Sequence, residues 1–414
     1  MVHKAAERFR LMDSMPQTVI RVMHGAWRTL PKGLRRRGLT ALSAILAGKP
    51  NKKPPATSNG LIVAGEIANA NGLGELARLL HDAASALGKS RGAMGLGLPG
   101  QVAMEKPPVA PDAALLAVVN APYLPAALLR LERNFLAGRR VIGFWAWELP
   151  QAPPSWKAGA KFVHEIWAPS AFAASAFEPL APGRVRAVAL PLAAMNLSVE
   201  GERADFGLEA NSFIVTVIFN LASSMARKNP LGAIAAFRAA FGASQDHLLV
   251  MKLTGVKDYP DDLAIIKAAI GNAGNIRLIA ETYSEARLRG LMRASDVVMS
   301  LHRSEGFGLV PATAMLLGRP VMATGWSGNL DFMAPEVSAL IPYRLVPARD
   351  PRGTYELPGA QWAEPDVEAA AEMLRQLAAD APARARMAAS GQLYAQERLG
   401  LAPFRAALEQ SGIV

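Results

Sequence analysis

Short apolar runs alternate with helical patterns along most of the chain, and this alternation constrains the fold more than any other feature. In the first half the predicted strands are Leu61–Gly65, Leu115–Val119, Arg140–Trp145, Glu165–Ala168 and Val185–Leu190. In the second half they are Ser212–Phe219, His247–Leu253, Ile276–Ala280, Val297–Leu301, Pro320–Thr324 and Ala339–Ile341. Strands that alternate with helices form parallel sheets covered on both faces. The sequence therefore predicts an α/β protein.

An irregular polar stretch from residue 196 to residue 211 separates the two runs of strands. We therefore predict one domain at residues 56–195 and a second at residues 196–390. Residues 1–55 are predicted to form a basic amphipathic arm and linker. Residues 391–414 are predicted to form a C-terminal helix that packs back toward the first domain.

The net charge of +11 is concentrated at the start of the chain. Residues 1–53 hold twelve basic and two acidic residues, whereas the rest of the chain holds 33 basic and 32 acidic residues. Because the body is nearly neutral, we expect no nucleic-acid partner. Basic segments with apolar side chains lie on anionic membrane faces. The arm is therefore predicted to contact a membrane surface, and the alternative is a solvated basic tail.

Composition excludes several kinds of chemistry. The chain has no cysteine, which rules out disulfides and thiolate catalysis. Its six histidines include no pair at a metal-ligand spacing such as HxxxH, so we expect no metal site. No stretch approaches the roughly 20 apolar residues of a membrane span. We expect a cytoplasmic protein, with the inner membrane face as a further location.

A glycine motif with one carboxylate, Ser304-Glu305-Gly306-Phe307-Gly308-Leu309, stands between a predicted strand and a predicted helix. In open α/β sheets, ligands bind at the carboxyl ends of strands. The glycines allow backbone amides to approach a ligand, and the helix N-terminus favours negative charge. Glu305 can accept hydrogen bonds from hydroxyls. The motif suits a sugar attached to a phosphate, and the alternative is an ordinary turn with a solvated Glu.

Three cations lie at or beyond the carboxyl ends of other predicted strands, namely Arg227, Lys228 and Lys252. Cations at the same sheet edge as Glu305 could bind a diphosphate. In the first half, Gly72 and Gly74 occupy a strand–loop–helix segment typical of a phosphate-facing loop, although a plain βα turn is an equal alternative.

Two tryptophans and a glutamate end another predicted strand of the first half. Indole rings suit the apolar face of a sugar, and Glu148 could bind a hydroxyl or act as an acid or base. We expect Trp145 to be core. For Trp147 and Glu148, core packing and acceptor binding are both open.

The combined motifs resemble those of family 4 glycosyltransferases, also called group 1. The resemblance rests on the motif from Ser304 to Leu309, on Ala314-Met315, Gly318, Pro320-Val321 and Ala323-Thr324, and on the run from Thr324 to Met333. The segments Arg227–Pro230, Phe144–Pro150 and Glu165–Ser170 are similar to a bacterial subgroup that builds surface polysaccharides. The resemblance covers the chain from about Leu61 to about Ser390.

The resemblance implies the GT-B fold, in which two Rossmann-like domains face each other across a cleft. It implies transfer of a sugar from a nucleotide-sugar to a lipid-linked or polysaccharide acceptor, with retained anomeric configuration and without a metal or another cofactor. Glu305, Arg227 and Lys228 would be catalytic, and Trp147 and Glu148 would bind the acceptor. The implied donor contacts are Gly72, Gly74, Lys252, Gly306, Phe307, Gly308, Leu309, Thr313, Gly328 and Asn329.

One position departs from the family pattern, which is E-x7-E. Eight residues after Glu305 the chain has Thr313, whereas the family has a Glu that binds ribose hydroxyls. A lost charge-assisted bond would weaken donor binding by about 1–3 kcal/mol. Thr313 therefore keeps a second hypothesis open, a catalytically weak homologue that binds a nucleotide-sugar or a partner as a scaffold. A GT-B epimerase is a third hypothesis, which gives no reason for a basic arm.

Overall fold

The structure is a computed structural model that describes residues 42–69, 72–98, 101–103 and 107–414. The arm predicted for residues 1–55 lies outside the described residues as far as residue 41. The fold consists of two six-stranded sheets and one two-stranded sheet. This arrangement confirms the α/β prediction.

The first sheet is parallel and is built from the first run of predicted strands. Its strands are β1 Leu61–Gly65, β2 Ser90–Gly95, β3 Ala114–Val118, β4 Val141–Phe144, β5 Glu165–Ala168 and β6 Val185–Ala187. Its helices are α1 Gly72–Ala86, α2 Leu124–Leu128 and α3 Ala171–Phe177. The spatial order is β2-β1-β3-β4-β5-β6. Strands β1, β3 and β4 are buried throughout, as a sheet covered on both faces requires.

The second sheet is also parallel, with the order β12-β11-β10-β7-β8-β9. Its strands are β7 Phe213–Asn220, β8 His247–Thr254, β9 Ile276–Ile279, β10 Val297–Ser300, β11 Val321–Thr324 and β12 Ala339–Ile341. Its helices are α4 Met225–Lys228, α5 Pro230–Phe241, α6 Pro260–Ile270, α7 Glu285–Ala294, α8 Leu309–Leu316 and α9 Val367–Ala379. The chain direction across the sheet reverses between β7 and β10, and such a switch point opens a crevice at the carboxyl ends of the two strands.

Every strand that the sequence predicted is present, but the structure adds strand β2 and a hairpin. Strand β2 begins with Ser, Arg and Gly, so it carries no apolar run. The hairpin pairs β13 Tyr343–Pro347 with β14 Gln361–Pro365 in antiparallel register. Most of β13 is exposed, so hydrophobic periodicity gives no signal there. Short 3-10 helices cover Arg133–Leu136, Pro154–Phe162, Glu178–Leu180, Leu192–Ala194, Arg203–Phe206, Leu221–Ser223 and Gly328–Asp331.

The chain ends in two helices, α10 Ala381–Arg398 and α11 Leu401–Gln410. Residue 391, where the sequence placed a boundary, lies inside α10. Helix α11 contacts the first sheet, because the Phe404 ring lies edge-on to Trp167 at 6.1 Å. The last residues also pair with the start of that sheet, since the Val414 amide donates to the Ser58 carbonyl at 2.9 Å. The C-terminal segment therefore ties the second half of the chain to the first.

Candidate active site

The candidate site lies at the switch point of the second sheet, where the loops after β7 and β10 meet. The loop after β7 leads into the short helix α4, which ends with Arg227 and Lys228. The loop after β10 carries Glu305, only a few residues beyond the strand. Because β7 and β10 are adjacent and parallel, both loops leave the same sheet edge. The topology thus brings together residues that are 77 and 78 positions apart in sequence.

Glu305 forms ion pairs with both cations. Arg227 donates from Nη1 to Glu305 Oε2 at 3.0 Å, and Lys228 Nζ donates to Glu305 Oε1. Arg227 Nη1 also donates to the Ser304 carbonyl at 2.8 Å. Glu305 is 6% exposed and Arg227 3% exposed, so little water screens these charges. The structure therefore places the three predicted catalytic side chains in one buried cluster.

The charges in this cluster set each other's protonation. Burial alone would raise the pKa of Glu305, but Lys228 and Arg227 outweigh burial and hold that pKa well below its usual range. Burial would lower the pKa of Arg227, but Tyr355, Glu305 and Glu148 raise it above its usual range. Burial lowers the pKa of Lys228, and Glu305 opposes that shift. Glu305 is thus ionised at neutral pH, with Arg227 as its charged partner.

The loops around the cluster are held in uncommon backbone conformations. Ser224, Asn229 and Ser327 are the non-glycine residues with positive φ in the described chain, at 68°, 52° and 81°. Each is fixed locally, because Ser224 caps α4, Asn229 caps α5 and the Ser327 hydroxyl accepts from the Glu305 amide at 2.8 Å. Strained residues cluster at functional sites, where the surrounding structure holds them in place. The observed strain therefore supports a functional assignment for these loops.

Residues of the first half reach the cluster through Glu148 and Trp147, which follow strand β4. Glu148 Oε1 lies 3.9 Å from Arg227 Nη2. Burial raises the pKa of the Tyr355 hydroxyl, and the nearby Glu148 carboxylate raises it further. Glu148 is therefore placed with the predicted catalytic residues. Trp147 is only 6% exposed, with its ring against Trp156 and Tyr355. Trp147 is thus packed in the core in this conformation, and acceptor binding by its ring stays a prediction.

The glycine motif lies directly against the first half. A Cβ on Gly306 would come within 2.7 Å of the Trp147 carbonyl oxygen, and Ser170 Oγ donates to the Gly306 carbonyl at 2.6 Å. Gly308 has φ +103° and precedes helix α8, so its conformation favours glycine. Phe307 is buried against Phe332, at 5.0 Å between ring centroids. The motif therefore needs glycine both for close approach and for a left-handed turn.

Two further predicted donor residues support this loop from the segment after β11. A Cβ on Gly328 would lie 2.4 Å from the Gly306 carbonyl oxygen, and the Gly328 amide donates to the Glu305 carbonyl at 2.9 Å. Asn329 is buried, contacts His302 Nε2 at 3.1 Å and donates to the Thr324 carbonyl at 3.1 Å. Both residues therefore fix the position of Glu305.

Lys252 lies apart from the ion-pair cluster. Its ammonium group is buried and donates to the carbonyls of Leu253 and Glu281, at 3.1 Å and 2.6 Å. Burial lowers the pKa of Lys252. The structure thus gives this side chain two backbone partners, and it does not bring Lys252 into contact with Glu305.

The glycines of the first-half loop stand at the beginning of helix α1. A Cβ on Gly74 would lie 2.2 Å from the Asn69 carbonyl oxygen, whereas one on Gly72 would meet nothing within 4 Å. Arg78 of the same helix pairs with Glu285 of α7 at 3.7 Å. The start of α1 therefore faces the second half of the chain.

Thr313 lies half-buried on helix α8, eight residues after Glu305. Its hydroxyl has no hydrogen-bond partner within the part of the chain that the structure describes. No carboxylate on this helix replaces the missing family Glu, because α8 consists of Leu309-Val310-Pro311-Ala312-Thr313-Ala314-Met315-Leu316.

Sequence reasoning missed the residues that the hairpin brings to the site. Tyr355 lies in the loop between β13 and β14, and the Arg227 guanidinium lies 5.5 Å from its ring centroid. Asp350 of the same loop accepts from Ser224 Oγ at 3.0 Å and thereby anchors the α4 loop. Ser170 and Ser327 were also unassigned, although both stand directly after predicted strands. Their position was a usable signal, whereas Tyr355 gave none.

Among the described residues, no group of three or more His, Asp or Glu side chains could hold a metal ion. Over the same residues, no helix combines the length and the apolar composition that crossing a membrane requires.

Two facing α/β domains with this site define a protein of the GT-B class. A model of a family described as "Family 4 Glycosyltransferase in conflict systems" matches residues 220–400, which contain the ion-pair cluster apart from Glu148. This part of the chain is similar to the family 4 glycosyltransferases.

Individual relatives are distant. The D-inositol 3-phosphate glycosyltransferase of Salinispora arenicola (strain CNS-205) is 28% identical over 179 residues, which are 42% of this chain and 36% of that protein. The match thus spans little more than a third of that relative's length. Anabaena Alr3699/HepE, solved with UDP and glucose, has a TM-score of 0.58 at 16% identity, over 85% of this chain and 99% of its own.

A further solved structure gives the same result for the fold. The sucrose-phosphate synthase of Thermosynechococcus elongatus has a TM-score of 0.60 at 14% identity, over 85% of this chain and 98% of its own. At such low identity these likenesses establish the GT-B fold alone.

Proposed function

We propose that the protein transfers a sugar from a nucleotide-sugar donor to a hydroxyl group of an acceptor, with retention of the anomeric configuration. The observation that carries this proposal is the buried cluster of Arg227, Lys228 and Glu305 at the switch point of the second sheet. Two cations suit a diphosphate, and a carboxylate between them suits the hydroxyls of the attached sugar. The similarity of residues 220–400 to a family 4 glycosyltransferase model favours this chemistry over other uses of the same groups.

In the proposed reaction, the bond between the anomeric carbon and the phosphate oxygen breaks, and a bond to the acceptor oxygen forms on the same face of the sugar. The acceptor proton passes to the departing phosphate. Arg227, Lys228 and the amides at the start of helix α8 stabilise the negative charge that develops on the leaving group. Glu305 orients the sugar, and no metal takes part. Lys252, Gly72, Gly74 and Thr313 remain predicted donor contacts.

We further propose a lipid-linked or polysaccharide acceptor, bound on the side of Glu148. The proximity of Glu148 to Arg227 supports this assignment, because acceptor and diphosphate must meet at the anomeric carbon. The basic arm at residues 1–53 supports work at the inner face of the cell membrane, in the synthesis of a cell-envelope polysaccharide.

Thr313 supports a second candidate function, that of a scaffold that binds a nucleotide-sugar or a partner with little turnover. The family carboxylate is missing at this position, and helix α8 offers no substitute. Turnover of any donor would exclude this candidate.

The test is saturation-transfer NMR of the full chain against UDP-, GDP- and ADP-sugars, with UDP-sugars first because of the UDP bound in Anabaena Alr3699/HepE. We expect one nucleotide to bind, with saturation reaching both its nucleoside and its sugar protons. In Glu305→Gln the sugar signals should weaken while the nucleoside signals persist. If no donor binds to well-folded protein, the proposal fails. If a donor binds, the anomeric configuration of the product in a transfer assay decides between retention and inversion.

A further inference from the structure

A basic pocket lies on the first half of the chain, at the sheet edge opposite the candidate active site. The pocket has a volume of about 580 Å³ and is lined by the segment at residues 49–54 and by residues that directly precede strands β5 and β6. The predicted catalytic residues and Glu148 follow the carboxyl ends of strands, whereas this pocket lies at the amino ends. It is therefore a separate site.

The lining of the basic pocket is strongly cationic. Five of its residues are Lys49, Lys52, Lys157, Lys161 and Arg184. The carboxylate in the lining is Glu165, which already accepts from Arg140 Nη1 at 2.6 Å. None of the four lysines forms an ion pair with another residue of the described ranges. The pocket thus has an excess of positive charge that an anion would relieve.

The linker that supplies two of these cations is held in place. His164 is 7% exposed, and its Nε2 donates to the Asn51 carbonyl at 2.8 Å while its Nδ1 accepts from the Val141 amide at 2.9 Å. Arg140 Nη2 donates to the Pro55 carbonyl at 2.7 Å. These bonds fix the backbone on both sides of Lys52. Lys49 is further oriented over the Phe162 ring, at 5.8 Å. The cations therefore line the pocket as a prearranged set.

Exposed apolar side chains precede the segment that lines the basic pocket. Leu42 and Ile45 lie on the helical turn before Lys49, and they are 56% and 75% exposed. A free phosphorylated metabolite would not bury the exposed leucine and isoleucine, whereas a lipid surface offers phosphate for the cations and acyl chains for the apolar side chains. This combination selects a lipid over a soluble anion.

We propose that the basic pocket binds the phosphoryl headgroup of an anionic lipid, while Leu42 and Ile45 enter the surrounding bilayer surface. The inference deepens, and rests on, the membrane part of the proposed function. It differs from that part because Lys157, Lys161 and Arg184 belong to the first domain and not to the arm.

The experiment is vesicle co-sedimentation of the full chain at 0.1 M salt, with phosphatidylcholine vesicles that contain or lack phosphatidylglycerol. The pocket variant combines Lys157→Gln, Lys161→Gln and Arg184→Gln, which are all exposed and distant from the catalytic cluster. Each cation near an anionic surface contributes about fivefold, so partition should fall roughly 100-fold. A matched control combines Lys257→Gln, Lys267→Gln and Arg293→Gln, exposed residues of the second half, and should bind as the wild type does.

Two further arms separate the possible outcomes. A variant with Arg35, Arg36 and Arg37 changed to Gln tests the arm, and ³¹P NMR of pyrophosphate tests a soluble anion. If only the arm variant loses vesicle binding, the pocket inference is overturned and the membrane proposal stands. Pyrophosphate binding that depends on the pocket, without vesicle binding by the wild type, would overturn the lipid source. UDP binding should be unchanged in every variant, so its absence would count against glycosyl transfer and not against the pocket.

Discussion

Glu305 forms ion pairs with Arg227 and Lys228, the two cations that the phosphates of the proposed donor would need. Removing the Glu305 charge should therefore strengthen the binding of a nucleoside diphosphate while it destabilises the protein. Removing one partner from a buried ion pair costs about 3–5 kcal/mol, because the remaining charge loses its compensation. Glu305→Gln leaves a buried Arg227 beside a half-buried Lys228, while the amide oxygen retains one hydrogen bond. We therefore expect the free energy of unfolding to fall by about 3 kcal/mol, the lower end of that range.

A nucleoside diphosphate should restore part of this loss. In the wild type, its phosphates compete with Glu305 for Arg227 and Lys228, whereas in Glu305→Gln they replace a missing negative charge. If the diphosphate recovers about half of the lost energy, UDP binds the variant about tenfold more tightly, since tenfold corresponds to about 1.4 kcal/mol. The preference for UDP-sugar over UDP should fall at the same time, because the group that orients the sugar is gone.

Isothermal titration with UDP, with thermal unfolding in the presence and absence of UDP, measures both effects. The matched control is Asp296→Asn, which removes a carboxylate from a different, partly buried ion pair with Arg203 at 2.7 Å. UDP should stabilise that variant to the same extent as the wild type. Equal or weaker UDP binding by Glu305→Gln would refute the idea that Glu305 and the diphosphate share the same cations.

The pH dependence of the stability difference between the wild type and Glu305→Gln provides an independent check. The pKa of Glu305 is depressed from its usual 4.5 in the folded protein. A depressed carboxyl pKa contributes stability that is present above the unfolded pKa and is lost as pH falls through the folded one. The stability difference between wild type and Glu305→Gln in urea should therefore be constant from about pH 6 to 8 and shrink below about pH 4.5. A difference that grows in acid would contradict the ion-pair assignment.

Three other predictions concern neighbouring positions. Tyr355→Phe removes the hydroxyl near Glu148 but keeps the ring, so stability should fall by about 1 kcal/mol with UDP affinity unchanged, and an altered affinity would show that the hydroxyl acts on the donor side. Thr313→Glu restores the family carboxylate and should tighten nucleotide binding by about 1–3 kcal/mol in titrations, whereas weaker binding would show that the pocket has adapted to a hydroxyl. Gly74→Ala should unfold at a lower temperature than Gly72→Ala, because only the former places a Cβ against backbone, 2.2 Å from a carbonyl oxygen.

The sequence predicted the sheets well because their signal is local. A run such as Val297–Ser300 is buried on both faces, so its composition reveals the strand without knowledge of its neighbours. The same logic predicted that Arg227, Lys228 and Glu305 share one sheet edge. Strand β2 lacks such a pattern, because it is held by pairing with Leu61–Gly65. The hairpin also lacks it, because its two strands pair with each other and its loop contacts the candidate site. Those contacts join residues far apart in the chain and leave no periodicity.

The least predictable part of the site is its charge balance, which depends on contacts between the two halves. Arg227 and Lys228 carry two positive charges, and Glu305 and Glu148 carry two negative charges within the same cluster. The side chains are therefore neutral as a set, and a diphosphate would make the set negative unless other groups contribute. The start of helix α8, equivalent to about half a positive charge, lies directly after the glycine motif. Donor binding should thus depend on the backbone of Gly306 to Leu309 as strongly as on the cations. A side chain at Gly306, where an added Cβ would lie 2.7 Å from the Trp147 carbonyl oxygen, should displace that backbone and weaken donor binding.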